Sequence, residues 1–268
     1  MGKDILVTHC VYWTTMLLAL EIPLPKHFIV TGWWLKNKEK MSKSIGNVVD
    51  PLDLTERYGV DVIRYFLMRE MSLGQDSSYS EELVLERNNK ELANDLGNSL
   101  SRVSSLLEKN YEGRLPKLMS MTPGDERVWS DVEAMVMAAQ GLLSEFRTKD
   151  LVEAVLAQVR QLNKYITDEA PYKIMKVDRE RAGHILHVAL EGLRVCCCLL
   201  SPLMPEKMSV AMKSLGIDKI EKAHLGIGFL KEGNPVTKIS GLFPRYELSE
   251  ETKVESEAAS DKRRSRNP

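Results

Sequence analysis

Five successive segments between residues 81 and 215 carry apolar residues at the spacing of one helix face, and the pattern over that stretch is wholly helical. Residues 81–109 predict one long helix. Leu96, Leu100, Val103 and Leu107 fall within about 60° of one another on a wheel stepping about 100° per residue. In residues 125–147, Val128, Val132, Met135, Ala139, Leu142 and Phe146 step alternately by four and three, the seam of a packed bundle. Residues 150–167 would bury Leu151, Val155, Leu162 and Ile166 and stop before Pro171. A fourth helix over 179–200 ends at Ser201-Pro202, and a fifth over 205–215 ends at Gly216. Met204, Met208 and Met212 make one stripe on it, which reads as core filling. A chain so patterned has to fold mainly as an α-helical bundle.

The first 80 residues read differently. Residues 4–20 predict a helix, with Ile5, His9, Trp13, Met16 and Leu20 on one face and Asp4 able to cap its start. His27 to Trp34 reads as a buried strand, followed by a tight turn near Asn37. Asp50-Pro51 is a helix start, with an N-cap acid and proline at the first helical position, and Gly59 ends that helix. A second helix from Asp61 would bury Ile63, Phe66 and Leu67 before the polar loop Gln75–Ser80. An α/β piece thus precedes the bundle. From about residue 247 the chain is charged and nearly free of apolar residues, so disorder is expected there.

The balance of 37 basic against 38 acidic residues gives no global attraction to nucleic acid, so any such binding needs a local basic face. The longest apolar run, Val195 to Leu203, is too short for a membrane span and contains a proline; no membrane association is expected. Met1 is not followed by a charged and then apolar leader, so no signal peptide is expected. The cysteines are Cys10 and the triplet Cys196, Cys197 and Cys198; without a CxxC pair, no four-cysteine zinc site is expected within this chain. Buried small hydrophobes in a reducing, intracellular setting fit the triplet better than a redox role.

Between the strand and the first helix start lies Lys40-Met41-Ser42-Lys43-Ser44. Two lysines put mobile ammonium groups on a loop of small residues, Ser42 and Ser44 add hydroxyl donors, and Gly46 admits backbone conformations closed to other residues. Such a loop can close over a polyphosphate and stabilise charge developing on leaving pyrophosphate. On the bundle, Asn98 and Arg102 lie one turn apart and point almost opposite to the buried stripe. They read either as a solvated polar face or as an amide and guanidinium displayed to unpaired RNA bases.

These motifs together resemble the class I methionyl-tRNA synthetases. The KMSKS stretch is that class's second signature, letter for letter. Gly2-Lys3-Asp4-Ile5, His9, Tyr12-Trp13, Leu24-Pro25-Lys26, Gly32-Trp33, Gly46-Asn47-Val48-Val49-Asp50-Pro51, Arg57-Tyr58-Gly59-Val60-Asp61, Leu96-Gly97-Asn98 and Leu242-Phe243-Pro244-Arg245 fall where bacterial and organellar members carry them. The resemblance runs to about residue 247. Thr8 and Thr14 depart from it, standing where an aromatic residue and a proline are usual. Tyr172, in Ala170-Pro171-Tyr172, stands where the family usually has tryptophan.

The resemblance implies an α/β remnant of a Rossmann-type catalytic domain with the signature loop (1–50), connecting helices (51–79), an all-α anticodon-binding bundle (80–246) and a charged tail (247–268). It implies ATP with Mg2+, methionine and tRNA(Met) as ligands. Lys40, Lys43, Ser42 and Ser44 would serve catalysis; Asp4, Lys40, Met41 and Lys43 would hold ATP; His9 would line the methionine pocket; Asn98, Arg102 and Tyr172 would read the anticodon. No metal ligands are implied. A cytoplasmic location of bacterial type, or an organellar matrix, is expected, with no dimerisation through a carboxy-terminal tRNA-binding barrel.

The other class I signature, HIGH, is not found. His184-Ile185-Leu186-His187 resembles it superficially, but lies in a helix, lacks its glycine and follows KMSKS. A half-sheet without its further strands would leave residues 1 to about 50 poorly supported. Two readings stay open: part of a methionine–tRNA ligase, or a catalytically inert tRNA-binding adaptor derived from one.

Overall fold

The computed structural model describes residues 1–36, 38–42, 44 and 46–248. Lys43 of the signature loop and residues 249–268 of the charged tail lie outside the described residues. The chain opens with a 3-10 turn, Lys3–Ile5, a π-helical stretch, Thr8–Trp13, and helix α1, Thr14–Ala19. This is the helix expected over 4–20, but wound unevenly. Its apolar side chains are not buried: Val7, Val11, Tyr12, Met16, Leu18 and Leu20 are all more than half exposed.

Of the strand expected over residues 27–34, only Trp34 lies in a strand: β1 is Trp34–Lys36, and it is half-buried. Little sheet exists to cover the rest: residues 30 and 31 make only single bonds to residues 1, 3 and 74. β1 pairs antiparallel with β2, Glu39–Lys40, in register Leu35 with Lys40. On its other edge it pairs parallel with β3, Ser77–Tyr79.

Helix α2, Pro51–Tyr58, starts where expected, with the Asp50 carboxylate accepting from Leu52 N at 2.8 Å. Gly59, at φ +86°, supplies the left-handed conformation that ends it. Helix α3, Val60–Glu70, buries Val62, Ile63, Tyr65 and Phe66, while Leu67 is 37% exposed.

The long helix expected over 81–109 is a continuous rod in three windings. These are α4, Glu81–Glu86, a π-helix, Arg87–Gly97, and α5, Asn98–Tyr111. The π-helical stretch carries buried polar side chains that must find partners. Asn88 and Asn89 donate to Pro244 O and Tyr246 O, both at 2.8 Å, and Glu91 pairs with Arg69 and Arg87.

Then come α6, Pro123–Ser144; α7, Thr148–Glu169; the short α8, Pro171–Ile174; α9, Arg179–Leu200; and α10, Pro205–Lys213. The seam of α6 holds at Val132, Met135 and Ala139. Phe146 is not part of it: it lies past the helix end at φ +58° and meets the His27 ring edge-on, centroids 5.7 Å apart.

Helix α9 is the axis of the bundle, and every residue from Ala182 to Leu200 is buried. It is long and apolar enough to cross a membrane, but its surface is wholly covered by the surrounding helices. The cysteine triplet lies inside it, as expected of buried hydrophobes. Burial pushes the thiols up, Cys198 to about 11.

The bundle and the α/β piece are firmly joined. Arg69 and Tyr65 of α3 bond Glu91, Arg69 reaches Glu153 of α7 at 2.5 Å, and Arg64 donates to Pro202 O and Leu203 O. Asp61 accepts from Lys207 N at 2.7 Å, satisfying an otherwise orphaned donor in the first turn of α10.

Candidate functional site

The signature loop leaves β2 at Lys40 and is closed by one side chain. Asn47 accepts from Ser42 N at 2.7 Å and donates to Lys40 O at 3.3 Å. Gly46 N bonds Ser42 O, and Gly46 takes φ +72°, which explains a glycine at the exit of this turn. The Ser42 and Ser44 hydroxyls meet at 2.8 Å, so the two donors predicted for one ligand lie side by side. Met41 packs against the core. The Lys40 ammonium sits 3.9 Å from the centroid of the Trp33 indole.

The opening turn comes to the same place. Lys3 Nζ lies 4.1 Å from the Trp33 centroid and pairs with Asp76 at 2.6 Å. Asp4 is exposed in this turn. His9 is half-buried one helical step further; its Nδ1 donates to Ile5 O at 2.9 Å and its ring meets Trp13 edge-on. Trp13 in turn meets Phe28, making a small aromatic wall behind His9. The GKDI stretch and the signature loop therefore converge on one indole from opposite ends of the α/β piece.

The second predicted group assembles on the bundle. Asn98 and Arg102 are both exposed on α5. Tyr172 is 43% exposed, and the Arg102 guanidinium lies 5.2 Å from its ring centroid. Lys173 lies 5.9 Å from the same ring. The corner that presents Tyr172 is backbone-driven: Ala170 takes φ +42° to stop α7, and buried Pro171 starts α8. An amide, a guanidinium and an aromatic face on one exposed surface can hydrogen-bond and stack unpaired bases.

Behind this corner lies a buried hub that the sequence did not disclose. Asp125, in the first turn of α6, is fully buried. It accepts from Thr122 N at 2.9 Å, Tyr165 at 2.5 Å, Arg181 at 2.5 and 3.1 Å, and His184 Nε2 at 3.0 Å. His184 Nδ1 accepts from Met119 N, which fixes the proton on Nε2. Burial alone would raise the Asp125 pKa, but the Arg181, Tyr165 and Thr122 bonds hold its carboxyl well below the usual range. Arg181 also pairs with Glu169, the last residue of α7, so the hub braces the turn that carries Tyr172. The HILH segment is thus structural. His184 serves this hub, and His187 donates to Pro116 O at 2.7 Å.

Trp33 was also missed as a site residue, because only the folded strand register brings it to the loop. Trp33 lies two residues before Leu35, the partner of Lys40, so both side chains share one sheet face. Among the described residues no group of three His, Cys, Asp or Glu is placed to hold a metal. The loop's cations and hydroxyls suit phosphate oxygens, so a magnesium ion would arrive held by the nucleotide.

A loop of this chemistry on a small mixed sheet, joined to a helical bundle, fits the architecture of a class I tRNA synthetase. Residues 1–104 match the family described as tRNA synthetases class I (M), and residues 115–260 match the anticodon binding domain of methionyl tRNA ligase. The chain belongs to the methionyl-tRNA synthetase family, and its fold is a partial Rossmann-like domain followed by the family's anticodon-binding domain. It is 38% identical to a methionine–tRNA ligase of Rhizobium meliloti over 91% of this chain and 48% of that protein. It is 39% identical to one of Caldanaerobacter subterraneus over 93% of this chain and 40% of that protein. The Mycobacterium tuberculosis methionyl-tRNA synthetase in complex with methionyl-adenylate superposes with a TM-score of 0.86 at 34% identity, covering 91% of this chain and 49% of that one. The chain spans about half the length of the relatives it matches.

Proposed function

We propose that this chain supplies the signature loop and the anticodon reader of a methionine–tRNA ligase. The reaction is ATP-dependent activation of methionine and transfer to tRNA(Met). A methionine carboxylate oxygen attacks the α-phosphorus of ATP; the new O–P bond forms as the bond to pyrophosphate breaks. Charge then grows on the phosphoryl oxygens and the leaving group. Lys40 and Lys43 stabilise it, and the Ser42 and Ser44 hydroxyls donate to the same oxygens. A magnesium ion held by the triphosphate would share that charge. Asp4 holds the nucleotide, Met41 lines its site, and His9 lines the methionine pocket. Asn98 and Arg102 read anticodon base edges while Tyr172 gives a base its stacking face.

The observation that carries this reading is the Arg102–Tyr172 pair exposed beside Asn98 on a bundle continuous with the signature loop. Nuclease footprinting of methionine tRNA tests it. Protection centred on the anticodon loop is expected; protection spread evenly along the backbone would refute it. The chain by itself is expected to catalyse little methionine-dependent ATP–pyrophosphate exchange, because the HIGH signature is not found in it. Exchange at ordinary enzyme rates would contradict that expectation.

A further inference from the structure

The Trp33 backbone is anchored to the 75–77 segment. Its backbone N–H donates to Asp76 Oδ1 at 2.8 Å, and its carbonyl accepts from Ser77 N at 2.9 Å. Immediately before it, Gly32 lies so close to the 75–76 turn that a Cβ there would fall 2.1 Å from Gln75 O. Only glycine permits that approach. The indole is therefore carried on a backbone pinned from both sides.

Onto this ring come Lys40, at 3.9 Å, and Lys3, at 4.1 Å, so the two ammonium groups lie within about 8 Å of each other. Lys3 is already paired with Asp76. Lys40 is exposed, and its reach to Trp33 is the cross-strand diagonal set by the pairing of Leu35 with Lys40. An ammonium resting on a π face keeps N–H groups turned away from the ring, so it can hold a phosphate oxygen without leaving its seat. A free lysine side chain would have to give up most of its rotamer freedom on binding; a seated one has already done so.

We propose that Trp33 is a positioning residue for the signature loop. Its indole seats the Lys40 ammonium in advance, so that Lys40 meets a polyphosphate pre-aimed. This rests on the reading of the loop as a polyphosphate binder. Trp33 does not touch the reacting atoms; it acts through Lys40.

The test uses the whole chain and magnesium pyrophosphate as the probe. In the wild type, the Lys40 ε-methylene protons resonate upfield through the ring current, and Trp33→Leu returns them to the free-lysine position. Trp33→Leu weakens pyrophosphate binding by about two- to fivefold, the loss expected for one cation–π contact. Trp33→Phe, which keeps a ring face and guards against a folding defect, retains most of the affinity. In a Lys40→Ala background, Trp33→Leu has no further effect. Equal weakening with and without Lys40 would mean a merely structural role and would overturn the proposal, as would unchanged or tighter binding in Trp33→Leu. Absence of pyrophosphate binding by the wild type, with Lys40 still upfield-shifted, would refute the polyphosphate reading and the positioning role with it.

Discussion

Removal of the Asp125 carboxylate is the perturbation the structure makes most quantitative. Asp125 is fully buried and is the common acceptor for Thr122, Tyr165, Arg181 and His184. Asp125→Ala leaves the Arg181 guanidinium half-stripped of its counter-charge and the Tyr165 hydroxyl without its acceptor. Breaking a buried pair by deleting one partner costs about 3–5 kcal/mol. Asp125→Asn keeps the volume and one acceptor but turns an amide NH2 towards donors, so a smaller loss of about 1–3 kcal/mol is expected. Urea unfolding followed by far-ultraviolet circular dichroism at pH 7 reads both. The sign with pH follows from the depressed pKa. The hub's contribution is fully present above the unfolded carboxylate pKa of about 3.9 and is lost as pH falls through the lower folded value. The gap between wild type and Asp125→Ala should therefore narrow below about pH 4. A loss under about 1 kcal/mol at neutral pH, or a gap that widens in acid, would refute the hub as a net stabiliser.

Other consequences can be checked independently. His187 is held neutral, chiefly by burial, with its pKa lowered; the unfolded chain takes up that proton first, so stability should fall as pH drops below about 6.5, and His187→Gln should flatten that slope. In native protein an aromatic disulfide reagent should find only half-buried Cys10, while Cys196, Cys197 and Cys198 react only after unfolding. Gly192 faces Leu162, and a Cβ there would lie 2.7 Å from Leu162 Cδ2; Gly192→Ala should cost about 1–3 kcal/mol by overpacking, read as a lower urea midpoint.

The bundle was legible because its code is local. Helical spacing gave α6, α7, α9 and α10 to within a few residues, and Asp50-Pro51 with Gly59 bounded α2. Phe146 shows the limit of spacing: it continues the seam in sequence, but the chain has already turned at φ +58°. The π winding of Arg87–Gly97 was not legible, because it serves partners distant in sequence, Pro244, Tyr246 and Arg69. The strand over 27–34 was overcalled from composition alone; a run of β-formers needs neighbours, and here only residues 1–3 and 73–77 supply them. Motif letters singled out Lys40, Ser42, Asn98, Arg102 and Tyr172 as candidates, and the structure groups them into two clusters. Trp33 and Asp125 were invisible because each acts through residues that only folding brings near.

The central claim is that the bundle reads an anticodon. The most direct measurement is the affinity of this chain for methionine tRNA with its native CAU anticodon against the same tRNA with that anticodon changed, at two salt concentrations. The account predicts clearly tighter binding of the native anticodon, with Asn98→Ala, Arg102→Ala and Tyr172→Ala each removing the difference. Equal binding of both tRNAs, weakening in parallel with salt, would show phosphate attraction alone and contradict it.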